Sequence, residues 1–402
     1  MNSRSRIYSL FAASLILMAV TATAQQEKSS TASSKPATQS APTTPADLNS
    51  LLETIRARHD LPALGGAIVA HGQLVAIGAV GVRAKGSDEK VTIEDRWHLG
   101  SCTKAMTATL IGMLVEQGKL KWDTTIADVF PELRERMHAD YRTVTLEQLL
   151  SHRSGAPTDL TANGLWGSLW RFRGSPTEAR LALLEGVITQ PPAYPPGTKF
   201  QYANAGYAIA GAMAERVTGK PWEELMQRLL FEPLGMKNVG FGAPGTADAV
   251  DQPRGHRGKD ADITPVPPGF GADNPVAIGP AGIVHASLAD WARFIALHVA
   301  GEKADAAGPH LLRPETMQRL HKPIEGQEYA LGWAVTKRPW GGRVLNHNGS
   351  NTIWYCVTWL APDKDFAVIV TCNRAGPPAE KGCDEAAAAL IGFHTKPPAS
   401  QP

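Results

Sequence analysis

The chain has 402 residues, 43% of them hydrophobic and 19% charged, with a formal net charge of +2. That apolar share is ordinary for a globular protein, and a near-neutral chain without a basic run lacks the electrostatic footprint of a nucleic-acid binder. No zinc-type Cys/His spacing and no phosphate-cradling glycine loop occurs, so the sequence implies neither metal nor cofactor.

In chain order, residues 1–24 read as a secretory signal peptide. Arg4 and Arg6 give a positive start, residues 7–20 a short apolar core, and Ala22-Thr23-Ala24 a small-residue cleavage site. The apolar run is shorter than the roughly 20 residues of a membrane span, with an uncleaved anchor as the alternative. Gln25, not cysteine, follows the cleavage site, which speaks against a lipoprotein anchor. Loss of this segment would leave the mature chain without net formal charge. Residues 25–45 are rich in Ser, Thr, Ala, Gln and Pro and read as a flexible tether. These features predict a periplasmic or secreted protein without stable membrane insertion.

The remainder, 46–396, is long for one simple core and predicts two lobes. Residues 47–58 have helical periodicity. Residues 64–70 and 74–80 flank His71-Gly72 as a hairpin. From 101 to about 324 the chain reads as helices and loops, with 251–275 a long Pro/Gly/Asp-rich loop. Residues 329–336, 352–360 and 366–372 predict strands, and 384–393 an Ala-rich closing helix. A lone hairpin is not stable, so the strands of 46–100 and 325–396 are expected to share one antiparallel sheet flanked by the terminal helices.

Three motifs carry chemistry. Ser101-Cys102-Thr103-Lys104 opens a long apolar run. Serine and lysine three residues apart share one helix face, so the amine can reach the hydroxyl, a weak nucleophile that needs an adjacent base. The unpaired N–H groups of a helix start also favour negative charge there. Ser87-Asp88-Glu89-Lys90 matches the same pattern in a polar stretch and reads as an exposed turn. Tyr202-Ala203-Asn204 is the only Tyr-x-Asn and precedes a second helical run. His347-Asn348-Gly349 is one of three His-x-Gly matches and is singled out by the β-rich segment around it. Taken alone, Tyr202 reads equally as a core tyrosine, Asn204 as a helix cap and His347 as a turn histidine.

Ser-x-x-Lys, Tyr-x-Asn and His-x-Gly in this order resemble the serine β-lactamase-like and penicillin-binding hydrolases. The Tyr-x-Asn form is similar to the class C β-lactamase branch, with its DD-peptidase, D-aminopeptidase and esterase relatives. Leu149 to Gly155, Pro195-Pro196-Gly197-Thr198, Glu232 to Met236 and Gly279 to Ile283 extend the resemblance over about 46–395. It implies an α/β (α+β) fold: an antiparallel sheet with flanking terminal helices and an inserted helical lobe, with the site in the cleft between them. It also implies an acyl-enzyme on Ser101. Lys104 and Tyr202 share the base work as a coupled pair, with the phenol lowered and the lysine kept charged. Asn204 lies near Lys104 and the substrate. Gly349 admits substrate to the strand, and the N–H groups of Ser101 and Ser350 form the oxyanion site.

The chain departs from the β-lactamases of that branch at His347, where they carry lysine, and at Asn348, where they carry threonine. A histidine supplies only part of a charge near neutral pH. The resemblance therefore implies a peptidase or esterase acting on a small peptide, ester or β-lactam-like substrate. A class C-like β-lactamase and an inactive cell-wall peptide-binding relative are the alternatives. Of the four cysteines, Cys102 reads as a packing residue, and Cys356, Cys372 and Cys383 could bridge or stay reduced.

Overall fold

The computed structural model describes residues 44–259, 261–305 and 308–395. The predicted signal peptide, and all but the last two residues of the tether, lie outside the described residues. Among the described residues the strands are β1 (Ala46–Asp47), β2 (Ala63–Ala70), β3 (Gln73–Gly81), β4 (Arg96–His98), β5 (Val239–Phe241), β6 (Gly255–Lys259), β7 (Asp262–Val266), β8 (Val284–Ser287), β9 (Ala334–Arg338), β10 (Gly342–Ser350), β11 (Tyr355–Ala361) and β12 (Phe366–Cys372). Five helices frame the argument: α1 (Asn49–Arg58), α2 (Thr103–Glu116), α3 (Asn204–Thr218), α4 (Leu288–Ala300) and α5 (Pro377–Thr395).

Seven strands form one sheet in the order β1-β3-β2-β12-β11-β10-β9, antiparallel throughout except where β1 runs parallel to β3. The two ends of the chain meet where β2 pairs with β12. β12 explains why this junction sits at the centre. Phe366, Val368, Val370 and Cys372 face a core shared with α1 and α5, while Ala367 and Ile369 face the opposite core. A strand covered on both faces reads as a continuous apolar run. α4 packs on β2, β3 and β12. α2 is buried from Thr103 through Leu114, so its all-round apolarity matches its place inside the fold.

The structure moves several predicted boundaries. The 251–275 stretch holds the hairpin β6–β7 rather than a loop; its prolines hide the pattern, since proline removes a ladder donor. A small sheet, β4-β8-β5, lies partly in the stretch expected to be helices and loops. The strand expected at 329–336 begins only at Ala334, because the chain turns back on itself between Tyr329 and Ala334, with Gly332 at φ +90°. β10, which carries His347-Asn348-Gly349, was not expected: the motif lies on a strand rather than before one. The closing helix starts earlier, at Pro377-Pro378, as suits proline in a first turn.

All four cysteines are buried and unbridged. Cys356 pairs in register with Thr371, and Cys372 with Tyr355, so the two cysteines sit one residue out of step and point to opposite faces. Cys372 and Cys383 share the core under α1 and α5. Cys102 and Cys356 meet on the other side, with Sγ atoms 3.6 Å apart.

Arg180 is fully buried and bonds both Glu215 and Glu223. Removing one partner of a buried pair leaves an uncompensated charge. Arg180→Ala is expected to lower the unfolding free energy by about 3–5 kcal/mol, read as a fall in the urea midpoint; an unchanged midpoint would contradict this account.

Candidate active site

Ser101 lies in a single 3-10 turn, Gly100–Cys102, that feeds α2. The turn touches the end of β10 so closely that side chains are excluded on both sides. A Cβ on Gly100, whose φ is +47°, would lie 2.3 Å from the Ser350 nitrogen, and one on Gly349 would lie 2.0 Å from the Leu99 oxygen. These two glycines bring the backbone at Ser101 and Ser350 together. A buried clamp holds the joint. His98 Nε2 lies 2.8 Å from Asp273 Oδ2, and Asn351 Nδ2 donates to Asp273 Oδ1 at 3.1 Å. One carboxylate thus ties the residues before Ser101 to those after Ser350.

Lys104 lies one turn after Ser101, in the first turn of α2, and is fully buried. Its Nζ lies 3.1 Å from Ser101 Oγ, 2.8 Å from Asn204 Oδ1 and 2.8 Å from the Ala281 carbonyl. Asn204 opens α3 but does not cap it: Ala203 holds the cap position without a side-chain cap bond. The Asn204 side chain turns to Lys104 instead.

Tyr202 stands beside the pair, its ring centroid 4.7 Å from Lys104 Nζ. It is positioned by His152, which accepts from the Ala203 N–H at 3.1 Å and packs against the Tyr202 ring at 4.2 Å. His152 adopts φ +58°, and its carbonyl accepts from Gln201 N–H. His347 is buried on β10. Its Nε2 lies 3.0 Å from Tyr329 Oη, and its Nδ1 lies 2.6 Å from the Asn348 carbonyl.

Burial governs the charges. It lowers the Lys104 amine to about 7 against a weaker opposing pull from Cys102. Burial also pushes the Tyr202 phenol well above its usual range, although a hydrogen bond with Ser101 pulls the other way. Desolvation acts toward the neutral form of each group, the opposite direction from the expected phenolate beside a charged lysine.

Ser101, Asn204 and Ser350 open onto a cavity of about 300 Å³ together with Thr158, Asp159, Trp166 and Asn274. No arginine or lysine is among the described residues that line it. The seven residues singled out from sequence therefore fall around one centre, with Ser101, Asn204 and Ser350 at the cavity and Lys104 and His347 buried behind them. Sequence reasoning missed Tyr329, the Ala281 carbonyl and the His98–Asp273–Asn351 clamp. A backbone carbonyl carries no side-chain signal, and Tyr329 and Asp273 belong to no motif.

The profile of the Beta-lactamase family matches residues 48–393. The chain belongs to the Beta-lactamase family. Among its relatives is "Penicillin-binding protein 4" of Amycolatopsis lactamdurans, 32% identical over 61% of this chain and 62% of that one. Another is "Esterase EstB" of Burkholderia gladioli, 30% identical over 51% and 55%. The chain thus spans between half and two thirds of the length of these relatives. The same fold occurs in the D-alanine carboxypeptidase AmpC of Burkholderia cenocepacia, with TM-score 0.67 and 21% identity over 85% of this chain and 96% of that one. The penicillin-binding protein homologue of Pyrococcus abyssi has TM-score 0.69 and 24% identity over 85% and 76%. As a Beta-lactamase family fold, the chain carries the expected sheet with flanking terminal helices.

The glycine joint gives a direct test. Gly349→Ala forces β10 away from Leu99 and would displace the Ser350 N–H expected to serve as an oxyanion donor; loss of one such donor typically costs about a hundredfold or more in rate. The variant is expected to keep its circular dichroism and lose at least about a hundredfold in kcat; wild-type kcat would contradict the joint's role.

Proposed function

We propose that this protein is a serine hydrolase that cleaves ester or amide bonds through an acyl-enzyme on Ser101, as a peptidase or esterase. The observation that carries this reading is the orientation of Lys104. A neutral amine has two protons and one lone pair. The carbonyl oxygens of Asn204 and Ala281, each at 2.8 Å, can only accept, so they take both protons. The lone pair then faces Ser101 Oγ at 3.1 Å, ready to receive its proton.

Ser101 Oγ attacks the carbonyl carbon as its proton passes to Lys104 Nζ. The developing oxyanion rests on the N–H groups of Ser101 and Ser350. Tyr202, protonated and bonded to Ser101, hands its proton to the leaving group and is reprotonated from Lys104. Water then repeats the sequence on the acyl-enzyme, with the serine as leaving group. No metal or cofactor takes part in this scheme.

The cavity favours neutral or cationic substrates. Among the described residues Asp159 lines it and no basic side chain does, so a substrate carboxylate would depend on His347, which is buried and engaged by Tyr329 and Asn348. This weighs against efficient β-lactam hydrolysis, which remains the second reading because a "Beta-lactamase" of Pseudomonas fluorescens is 22% identical over 82% of the chain. Residues 1–24 support a periplasmic or secreted location, and the charge balance argues against a nucleic-acid partner.

Hydrolysis of a small chromogenic ester is expected for the wild type and absent in Ser101→Ala; equal turnover in both would refute the assignment. The pH profile is a second check. The Lys104 pKa of about 7 predicts that kcat/KM for a neutral ester rises through pH 7. The raised Tyr202 pKa predicts no fall up to pH 10. Stability follows the same group: the unfolded lysine holds its proton to about pH 10, so the contribution of Lys104 to stability improves as pH climbs from 7 through that window. A profile flat across pH 6–8 would exclude Lys104 as the base.

A further inference from the structure

Two arginines are buried among the described residues, Arg180 and Arg374. A guanidinium does not shed its charge in a protein, so each needs an anion once it leaves water. Arg180 has Glu215 and Glu223. Arg374, 2% exposed, forms no ion pair with a described carboxylate. Its Nη1 donates to the Asp60 carbonyl at 3.5 Å, the outer limit of a hydrogen bond, and its Nε is buried without a protein partner.

Arg374 lines a cavity of about 630 Å³ where three segments meet: the end of α1 at His59, the β6–β7 hairpin, and the turn between β12 and α5. The frame is fixed by backbone contacts. Arg374 pairs with His256 in an isolated parallel bridge, and His256 Nδ1 lies 2.6 Å from the Asn373 carbonyl, which ties β6 to that turn. Lys259 and Lys381 line the same cavity, and neither forms an ion pair with a described carboxylate. Among the described residues no carboxylate lines it. Glu385 touches the lining residue His59 at 2.6 Å but also binds Arg58, so its charge is already met. The rest of the wall, Ala375-Gly376-Pro377-Pro378, is small and uncharged. The cavity shares no lining residue with the one at Ser101.

A guanidinium and two ammonium groups thus face one space with no countercharge in its wall. A single carboxylate would balance only one of them. A phosphate carries close to two negative charges near neutral pH and offers several acceptor oxygens. The planar fork of an arginine matches two of those oxygens, and lysines add point charges. A cavity of about 150 Å³ already takes a benzene ring, so this one has room for an organic group attached to the phosphate.

We propose that this cavity binds a phosphate dianion, free or as a monoester, with Arg374 paired to its oxygens and Lys259 and Lys381 supplying the remaining countercharge. The site stands apart from the hydrolase reading and survives its failure. Inorganic phosphate is titrated into the full chain by calorimetry against a constant chloride background, which holds general screening fixed. One saturable site is expected. Lys259→Ala combined with Lys381→Ala, both at exposed positions, should weaken binding about tenfold or more through lost charge-assisted hydrogen bonds, with circular dichroism unchanged. Arg374→Gln should abolish it. No saturable binding, or wild-type affinity in both variants, overturns the proposal. Sedimentation with phosphatidylcholine vesicles, with and without phosphatidic acid, separates the sources of the phosphate. Capture by the phosphatidic acid vesicles alone, relieved by inorganic phosphate and lost in both variants, assigns the site to a lipid headgroup. Saturable phosphate binding without such capture assigns it to a soluble phosphate.

Discussion

Everything at this centre depends on taking one ammonium-forming side chain out of water. Lys104 can be buried only because α2 is buried, and it is useful only because three oxygens from three separate segments converge on it. Without those partners a buried amine would be an unsatisfied polar group costing several kcal/mol. With an added carboxylate it would be a locked ammonium, unable to accept a proton. The observed surroundings lie between these limits and leave the amine poised near neutrality. The packing of the helix and the chemistry of the serine are thus one constraint.

The second requirement is steric. Ser101 and Ser350 come from opposite ends of the chain, separated by the whole helical stretch. They meet because Gly100 and Gly349 have no side chains and because Asp273 bridges the flanking residues. The seven-stranded sheet supplies the fixed reference for this contact: β10 is held by β11 and β9 on its two sides.

Much of this was legible in the sequence, for identifiable reasons. β12 was predicted to the residue because both its faces are apolar. Ser101 and Lys104 were legible because their spacing at a helix start puts both on one face, and Tyr202 and Asn204 through the resemblance carried by the Tyr-x-Asn motif. β10 was not legible: Gly342, Asn346, Asn348 and Gly349 are poor strand formers, and the strand exists through pairing with its neighbours. The Asp273 clamp joins residues about 175 positions apart, which no local pattern encodes. For the Lys104–Tyr202 pair, adjacency suggests mutual ionisation while burial acts toward the neutral form of each group, and no local pattern encodes that burial.

The sheet divides the interior into two cores with different obligations. The core beneath α1 and α5, built from residues such as Leu52, Ile68, Val368 and Leu390, contains none of the site's side chains. The core on the other face carries Cys102, Ala281 and Ile353 along with the chemistry. Substitutions on the rear face can therefore drift, or be improved by selection for hardiness, with little consequence for turnover. Those on the front face trade one property against the other. An engineer or an evolving lineage has, in effect, a chassis that can be strengthened without touching the engine.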